Sequence, residues 1–211
     1  MDRVKRTRPG RPLVLSPEER RSRIMDAAER IFVETGYGAA SMNAIARESG
    51  MSKKTLYQIF PDKLSIFVAL VLNYDVSSFY STKAPAGTGD LYAEVRDLLL
   101  EFSRFVLSPR QVALTRLVIA EAKHSPELAQ SFYDNCLDRG VQIVSDRLEK
   151  LRVTFLEKGY DVDTVANIIL GATLTTLHVR TLVCSIDPEV LHAKLDARIE
   201  ATLKLIKAYF S

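Results

Sequence analysis

The residues with the strongest chemical pattern run from Ser41 to Lys63: Ser-Met-Asn-Ala-Ile-Ala-Arg-Glu-Ser-Gly-Met-Ser-Lys-Lys-Thr-Leu-Tyr-Gln-Ile-Phe-Pro-Asp-Lys. A small residue, Ala46, is followed four positions on by Gly50 and six beyond that by Leu56. Each suits one place in a pair of short helices joined by a tight turn. Ala46 fits where the helices come closest, and Gly50 supplies the positive φ that the turn needs. Leu56 and Ile59 turn inward to meet Ile45 and Ala46. Ser41 and Ser52 stand where each helix would begin, placed to accept a bond from an unpaired backbone N–H. Such a helix-turn-helix lays its second helix in the DNA major groove. The chemistry on offer is hydrogen bonding to phosphates and base edges.

No catalytic set competes with it. His124, His178 and His192 fall at separate points with no second ligand at metal spacing. His124 suits a helix C-terminus, and His178 reads as a core or interface histidine. Cys136 and Cys184 are too few and too unpatterned for a disulfide framework or a metal site. The chain has no glycine-rich phosphate loop, no Gly-x-Ser-x-Gly and no Cys-x-x-Cys. Neither an enzyme nor a cofactor is expected.

Composition agrees. At 211 residues, 47% hydrophobic and 26% charged, the chain matches an ordinary globular protein with a sizeable core. The net charge of +3 conceals an asymmetry. Residues 1–64 carry 13 Lys/Arg against 8 Asp/Glu, a balance of +5, and residues 65–211 carry 16 against 18, a balance of −2. Positive charge gathered around a helix-turn-helix is the footprint of a phosphate-binding surface. The N-terminus is charged and punctuated by proline, unlike a signal peptide, so a cytoplasmic location is expected.

The supporting elements are helical throughout. Residues 1–15 read as a flexible basic arm, in which Arg8-Pro9-Gly10-Arg11-Pro12 resembles the core of an AT-hook. Arg8 and Arg11 are therefore expected to reach the minor groove. Ser16-Pro17-Glu18-Glu19 opens a helix with a capping box, and Gly36 ends it. After Pro61 and Asp62 another helix runs through Phe67 and Leu70 to about Tyr80. Further helices are expected near 90–107, 109–123, 126–157, 162–183 and 188–209, with Gly140 the place where 126–157 would break. Residues 165–183 are apolar or small in nearly every direction, as in a helix buried all round. Asn167, His178 and Arg180 argue against a membrane span. With residues 188–209, this helix is expected to pair with its copy in a four-helix dimer interface through Ile168, Gly171, Ala172, Leu195, Ile199 and Leu203.

Residues 44–63 closely resemble the DNA-binding signature of the TetR/AcrR family of bacterial transcriptional regulators, and the resemblance extends upstream through the helix at 17–35. Arg116 to Glu121, Ser125-Pro126-Glu127-Leu128 and Phe132-Tyr133 resemble the C-terminal domain of the AefR-like branch. The resemblance implies an all-α chain: a helix-turn-helix domain over 16–64, then a helical effector-binding and dimerisation domain over 65–211. Positions matching the family's DNA contacts are Ser41, Ser52, Lys53, Lys54, Thr55, Tyr57, Gln58 and Lys63. Of these, Lys53, Lys54 and Gln58 suit base edges, because lysine donates to guanine and glutamine pairs with adenine. Ser41, Thr55, Tyr57 and Lys63 suit phosphates. The resemblance further implies a small-molecule cavity in the bundle, for which Phe102, Phe105, Arg116, Phe132, Tyr133 and His178 are candidate lining residues. It implies a homodimeric repressor that leaves a palindromic operator when the effector binds. A redox switch at Cys136 or Cys184 is one alternative. A helical-bundle enzyme or metabolite carrier is another.

Overall fold

The computed structural model describes residues 15–72, 91–150, 159 and 161–206. Among these, every regular element is a helix. The basic arm and the C-terminal end of the helix expected to reach Tyr80 lie outside the described residues, as do Arg8 and Arg11.

Helix α1 (Pro17–Thr35) begins at a reciprocal capping box. Ser16 Oγ accepts from Glu19 N–H at 3.1 Å, and Ser16 N–H donates to the Glu19 carboxylate at 2.7 Å. It stops at Gly36, whose φ of 83° is costly for any residue with a Cβ. Helices α2 (Met42–Glu48) and α3 (Lys53–Ile59) are seven residues each, too short to persist alone. Their N-termini are fixed by Ser41 Oγ on Ala44 N–H and Ser52 Oγ on Thr55 N–H. Gly50, at φ 68°, makes the turn between them.

Helix α4 (Lys63–Leu72) packs back on α1. Ile24, Phe32, Ile45, Leu56, Phe60 and Phe67 are almost completely buried in one shared core. The core does not stop at residue 64. It continues through Ile66, Leu70 and Val71 into Leu114, Leu117, Leu128 and Phe132 of the following helices. The head is therefore seated on the bundle through a common apolar layer.

The bundle comprises α5 (Leu91–Val106), α6 (Pro109–Glu121), α7 (Pro126–Phe132), a π-helical stretch (Tyr133–Asp138), α8 (Arg139–Lys150), α9 (Val162–Val183) and α10 (Pro188–Ile206). Ser108, Asp161 and Asp187 cap α6, α9 and α10 with side-chain oxygens. Ser125 precedes Pro126 in the same pattern but makes no side-chain cap bond. A second core gathers Val95, Leu99, Val144, Leu148, Ala166, Ile169, Leu195, Ile199 and Leu203. The break expected at Gly140 falls instead at Tyr133–Asp138, where the helix widens to a π-helix. Gly140 itself is buried inside α8, and a Cβ there would lie 3.0 Å from Phe102 Cζ. The glycine makes room for that ring.

Two expectations about the last helices are corrected. Helix α9 is not buried all round: Ile168, Ala172, Val179 and Val183 stay exposed, Val183 by 74%. On α10, Leu195, Ile199 and Leu203 face the chain's own core, each at most 1% exposed, and so cannot be the surface offered to another copy. The outward side of α10 carries Val190, Ala193, Ala197, Ala201 and Leu205. Large branched residues fill the interior here, and mainly small ones are left outside.

Candidate nucleic-acid interface and internal cavity

Of the two residues expected to hold α3, Leu56 is fully buried, and Ile59 packs against the same core. Opposite them, Ser52, Lys53, Lys54, Tyr57 and Gln58 are exposed, and Thr55 is half-buried. Ser41, at the start of α2, is also exposed. The hydroxyls of Ser41 and Ser52 accept cap bonds, yet each keeps a hydroxyl hydrogen for an incoming phosphate. Ser52 Oγ and Thr55 Oγ1 lie 2.9 Å apart, so one of them uses its hydrogen on the other until a ligand competes. The outward face thus presents two cations, an amide and a phenol at one helix end, facing solvent.

Lys63 is the exception. Its ammonium turns inward and donates to the backbone carbonyls of Tyr37, Gly38 and Ala40 at 2.5, 3.3 and 3.0 Å, and it lies 4.3 Å from the centre of the Tyr37 ring. Desolvation lowers its pKa, and Glu121 and Glu127 partly oppose that shift. The expected phosphate contact is corrected accordingly: this lysine staples α4 to the α1–α2 turn. The Glu121 carboxylate, from the end of α6, closes the same turn. A Cβ on Gly36 or Gly38 would come within 3.1 or 3.0 Å of its oxygens. Burial, with Glu127, Asp62 and Glu121 nearby, pushes the Tyr37 phenol up to about 12, so it stays protonated. Lys63→Met should cost roughly 1.5–3 kcal/mol, the scale of hydrogen bonds from a charged donor. The slope of log affinity for DNA against log salt should stay unchanged, whereas loss of a phosphate contact would reduce it by about 1. Denaturant unfolding and a salt titration read the two quantities separately.

An ion pair also ties the bundle to the head. Arg110 of α6 grips Glu29 of α1 through two bonds of 2.7 and 3.0 Å and reaches Leu70 O of α4 at 3.3 Å. This bidentate geometry is the strong form of such a pair. The neighbouring residue, Gln111, lies on the wall of a cavity that opens partly to solvent beside Tyr133, Leu137 and Val179.

That cavity has a volume of about 460 Å³. Phe102, Phe105, Phe132, Tyr133 and His178 all line it, so five of the six expected residues come together. Arg116 does not. Its guanidinium donates to the carbonyls of Thr181 and Leu182 in the last turn of α9. Those carbonyls have no helical partner of their own, and the arginine satisfies them. The role expected for Arg116 is therefore corrected to fastening α6 to the end of α9. Sequence reasoning missed Gln111, Thr115, Asn167 and most of the π-helical stretch, including Asn135 and Leu137, as wall residues.

Two titratable groups on the wall, His178 and Cys136, are shifted by burial toward their uncharged forms. Burial pushes the His178 imidazole below its usual range and the Cys136 thiol up to about 12. A thiol so rarely ionised at neutral pH is a poor redox nucleophile, which counts against Cys136 as a switch. His178 also gives a pH signature. Its folded-state pKa lies below that of the unfolded chain, so its contribution is complete above about pH 6.5, the unperturbed histidine value. That contribution is lost as pH falls below 6.5. His178→Phe should flatten the fall in unfolding free energy between pH 6.5 and 5, measured by denaturant titration at each pH.

Comparison with known proteins accords with this geometry. The model for bacterial regulatory proteins of the tetR family matches residues 24–70, and that for the AefR-like transcriptional repressor C-terminal domain matches residues 93–210. The HTH-type transcriptional activator FasR of Mycolicibacterium smegmatis is 44% identical over 57 residues, 27% of this chain and 26% of FasR. The chain thus spans about a quarter of FasR's length. The HTH-type transcriptional repressor Rv1474c of Mycobacterium tuberculosis is 27% identical over 178 residues, 84% of this chain and 89% of that protein. A crystal structure of a TetR-family regulator from Mesorhizobium loti superposes with a TM-score of 0.71 at 23% identity, covering 91% of this chain and 98% of that one. The chain belongs to the TetR family of DNA-binding transcriptional regulators, with a C-terminal domain of the AefR-like type.

Proposed function

We propose that the protein is a homodimeric repressor that grips a palindromic operator and releases it when a small molecule fills the bundle cavity. The observation carrying this reading is the outer face of α3, where Lys53, Lys54 and Gln58 are exposed above a buried Leu56. Lys53, Lys54 and Gln58 are assigned to base edges, and Ser41, Ser52, Thr55 and Tyr57 to phosphates. Arg8 and Arg11 would add minor-groove contacts from the arm. The exposed stripes Ile168, Ala172, Val179, Val183 of α9 and Val190, Ala193, Ala197, Ala201, Leu205 of α10 form the proposed seam between copies, with Gly171 at its edge. A two-fold dimer built there would present two α3 helices about 34–36 Å apart, one turn of DNA.

The coupling route runs through α6. Gln111 faces the cavity region while Arg110, next to it, holds α1 and α4. The π-helical wall also packs on α4. A ligand that shifts α6 or this wall would change the spacing of the two heads, and so favour the state that no longer fits the groove. Among the alternatives, Rv1474c is a named repressor and FasR a named activator. The repressor reading is chosen because the C-terminal family model is that of a repressor. As a DNA-binding regulator it would work in the cytoplasm.

Selection of bound fragments from genomic DNA, followed by gel shift with and without candidate small molecules, tests this. A palindromic consensus and ligand-released DNA are expected. Sequence-independent binding, or binding that no small molecule weakens, would refute it.

A further inference from the structure

The cavity gives no ligand by its family, but its wall is chemically selective. Most of it is apolar, with Val71, Phe102, Phe105, Phe132, Leu170 and Leu174 contributing. Its volume, about 460 Å³, sits within the span of roughly 300–1,000 Å³ usual for small-molecule sites. Three polar wall residues already donate a hydrogen bond to a carbonyl four residues back along the chain. Asn135 Nδ2 donates to Ser131 O at 2.8 Å, Asn167 Nδ2 to Asp163 O at 3.0 Å, and Thr115 Oγ1 to Gln111 O at 2.9 Å.

Two others do not. Gln111 is 5% exposed, and its Nε2, which can only donate, has no hydrogen-bond partner among the described residues; His178 Nε2 is likewise buried and unpaired. Buried nitrogens are rarely left so unless a ligand or water completes them. Both belong to wall residues, one on α6 and one on α9.

The charge inventory excludes a buried anion. Arg116, the one permanent cation among the six expected lining residues, is spent on Thr181 and Leu182 carbonyls and is not on the wall. Arg139 and Asp138 are adjacent on the wall, opposite in sign, and both open to solvent. Burial keeps His178 neutral. A carboxylate in the apolar interior would have no cation buried with it, and an unpaired buried charge is strongly disfavoured.

We infer that the cavity takes an uncharged, largely apolar ligand carrying oxygen that accepts hydrogen bonds from Gln111 Nε2 and from His178 in its Nε2–H tautomer. This rests on the cavity being the effector site of the proposed regulator. The ligand's oxygen replaces the missing partners, and the phenylalanines cover its apolar body. An acid of the same shape is excluded by its charge, and a pure hydrocarbon leaves the two nitrogens unpaired.

The test uses the full-length protein without DNA, titrated calorimetrically with two matched sets. The ring-shaped set is benzophenone, 4-benzoylbenzoate and diphenylmethane; the chain-shaped set is 1-decanol and decanoate. The neutral oxygen-bearing member should bind at least tenfold tighter than its carboxylate in each set. Benzophenone should also bind several-fold tighter than diphenylmethane. Gln111→Met, close in volume, should weaken benzophenone while leaving diphenylmethane unchanged, and adding His178→Phe should remove the rest of the benzophenone preference. A carboxylate that binds as tightly as its neutral partner overturns the inference. So does a benzophenone affinity untouched by both Gln111→Met and His178→Phe, or binding of none of the five compounds. Gel shift of the same preparations keeps the two claims apart: DNA binding without the neutral-ligand preference removes only this inference, and the preference without DNA binding removes only the regulator reading.

Discussion

Replacing Ile168 and Val183 together with glutamate should give a folded monomer whose operator affinity is at least a hundredfold lower. Both side chains are exposed, by 62% and 74%, on the same side of α9, and neither lies on the cavity wall. The monomer fold therefore loses little, since surface substitutions away from packed features usually change stability by about 0.5 kcal/mol or less. The seam between copies loses its apolar contact and gains like charges facing each other across a two-fold axis. Half-site binding then has to occur twice independently. A linked second site sees an effective concentration of the order of millimolar, and losing that linkage removes about 10²–10⁴ in affinity. Sedimentation or light scattering reads the oligomeric state, and fluorescence anisotropy on operator DNA reads the affinity. A double variant that remains dimeric would move the seam elsewhere.

The second large effect is expected at Leu56. Helix α3 has a single fully buried residue, and this is it. Truncation to alanine removes the anchor beneath the recognition face and leaves a cavity against Ile45 and Ala46, at a cost of about 2–5 kcal/mol. For a chain of this length that is a fall of roughly 4–20 °C in melting temperature, taking about 2–4 °C per kcal/mol. Operator binding should fall even well below the melting temperature, because Lys53, Lys54 and Gln58 lose their fixed platform. Self-association should be unchanged, since the outward stripes of α9 and α10 lie far along the chain from this core. A variant that melts normally, or one that binds DNA as well as the parent, would show that α3 is held by something other than this side chain.

The head was legible because its rules are local. Ser16, Ser41 and Ser52 cap as their positions suggest, Gly36 and Gly50 adopt positive φ, and the spacing of Ala46, Gly50 and Leu56 is satisfied within one short segment. The helical layout of the bundle was legible for the same reason, since proline after a cap residue and glycine stops act within a few residues. What failed depends on contacts distant in sequence. Whether Lys63 faces solvent or the carbonyls of Tyr37 and Ala40 is decided by a turn more than twenty residues away. Arg116 finds its acceptors at Thr181 and Leu182 for a similar reason. On α10 the periodicity revealed an apolar face but not that Leu195, Ile199 and Leu203 would turn to the chain's own core and Ala193, Ala197 and Ala201 outward. The π-helical stretch left no mark in the pattern, yet it lines the cavity through Tyr133, Asn135, Cys136 and Leu137. Gln111 was passed over because a single amide near a helix start carries no signal until its missing partner is seen.

The most direct test of the account is binding of the full-length protein to its selected operator and to a scrambled duplex, with Lys53→Ala and Gln58→Ala as the variants. Each good base contact is worth about 1–3 kcal/mol of discrimination. Each substitution should therefore lower the ratio of operator to scrambled affinity by about five- to a hundredfold, while melting temperature and dimerisation stay at the parent's values. An operator preference that survives both substitutions intact would contradict the claim that the outer face of α3 reads DNA.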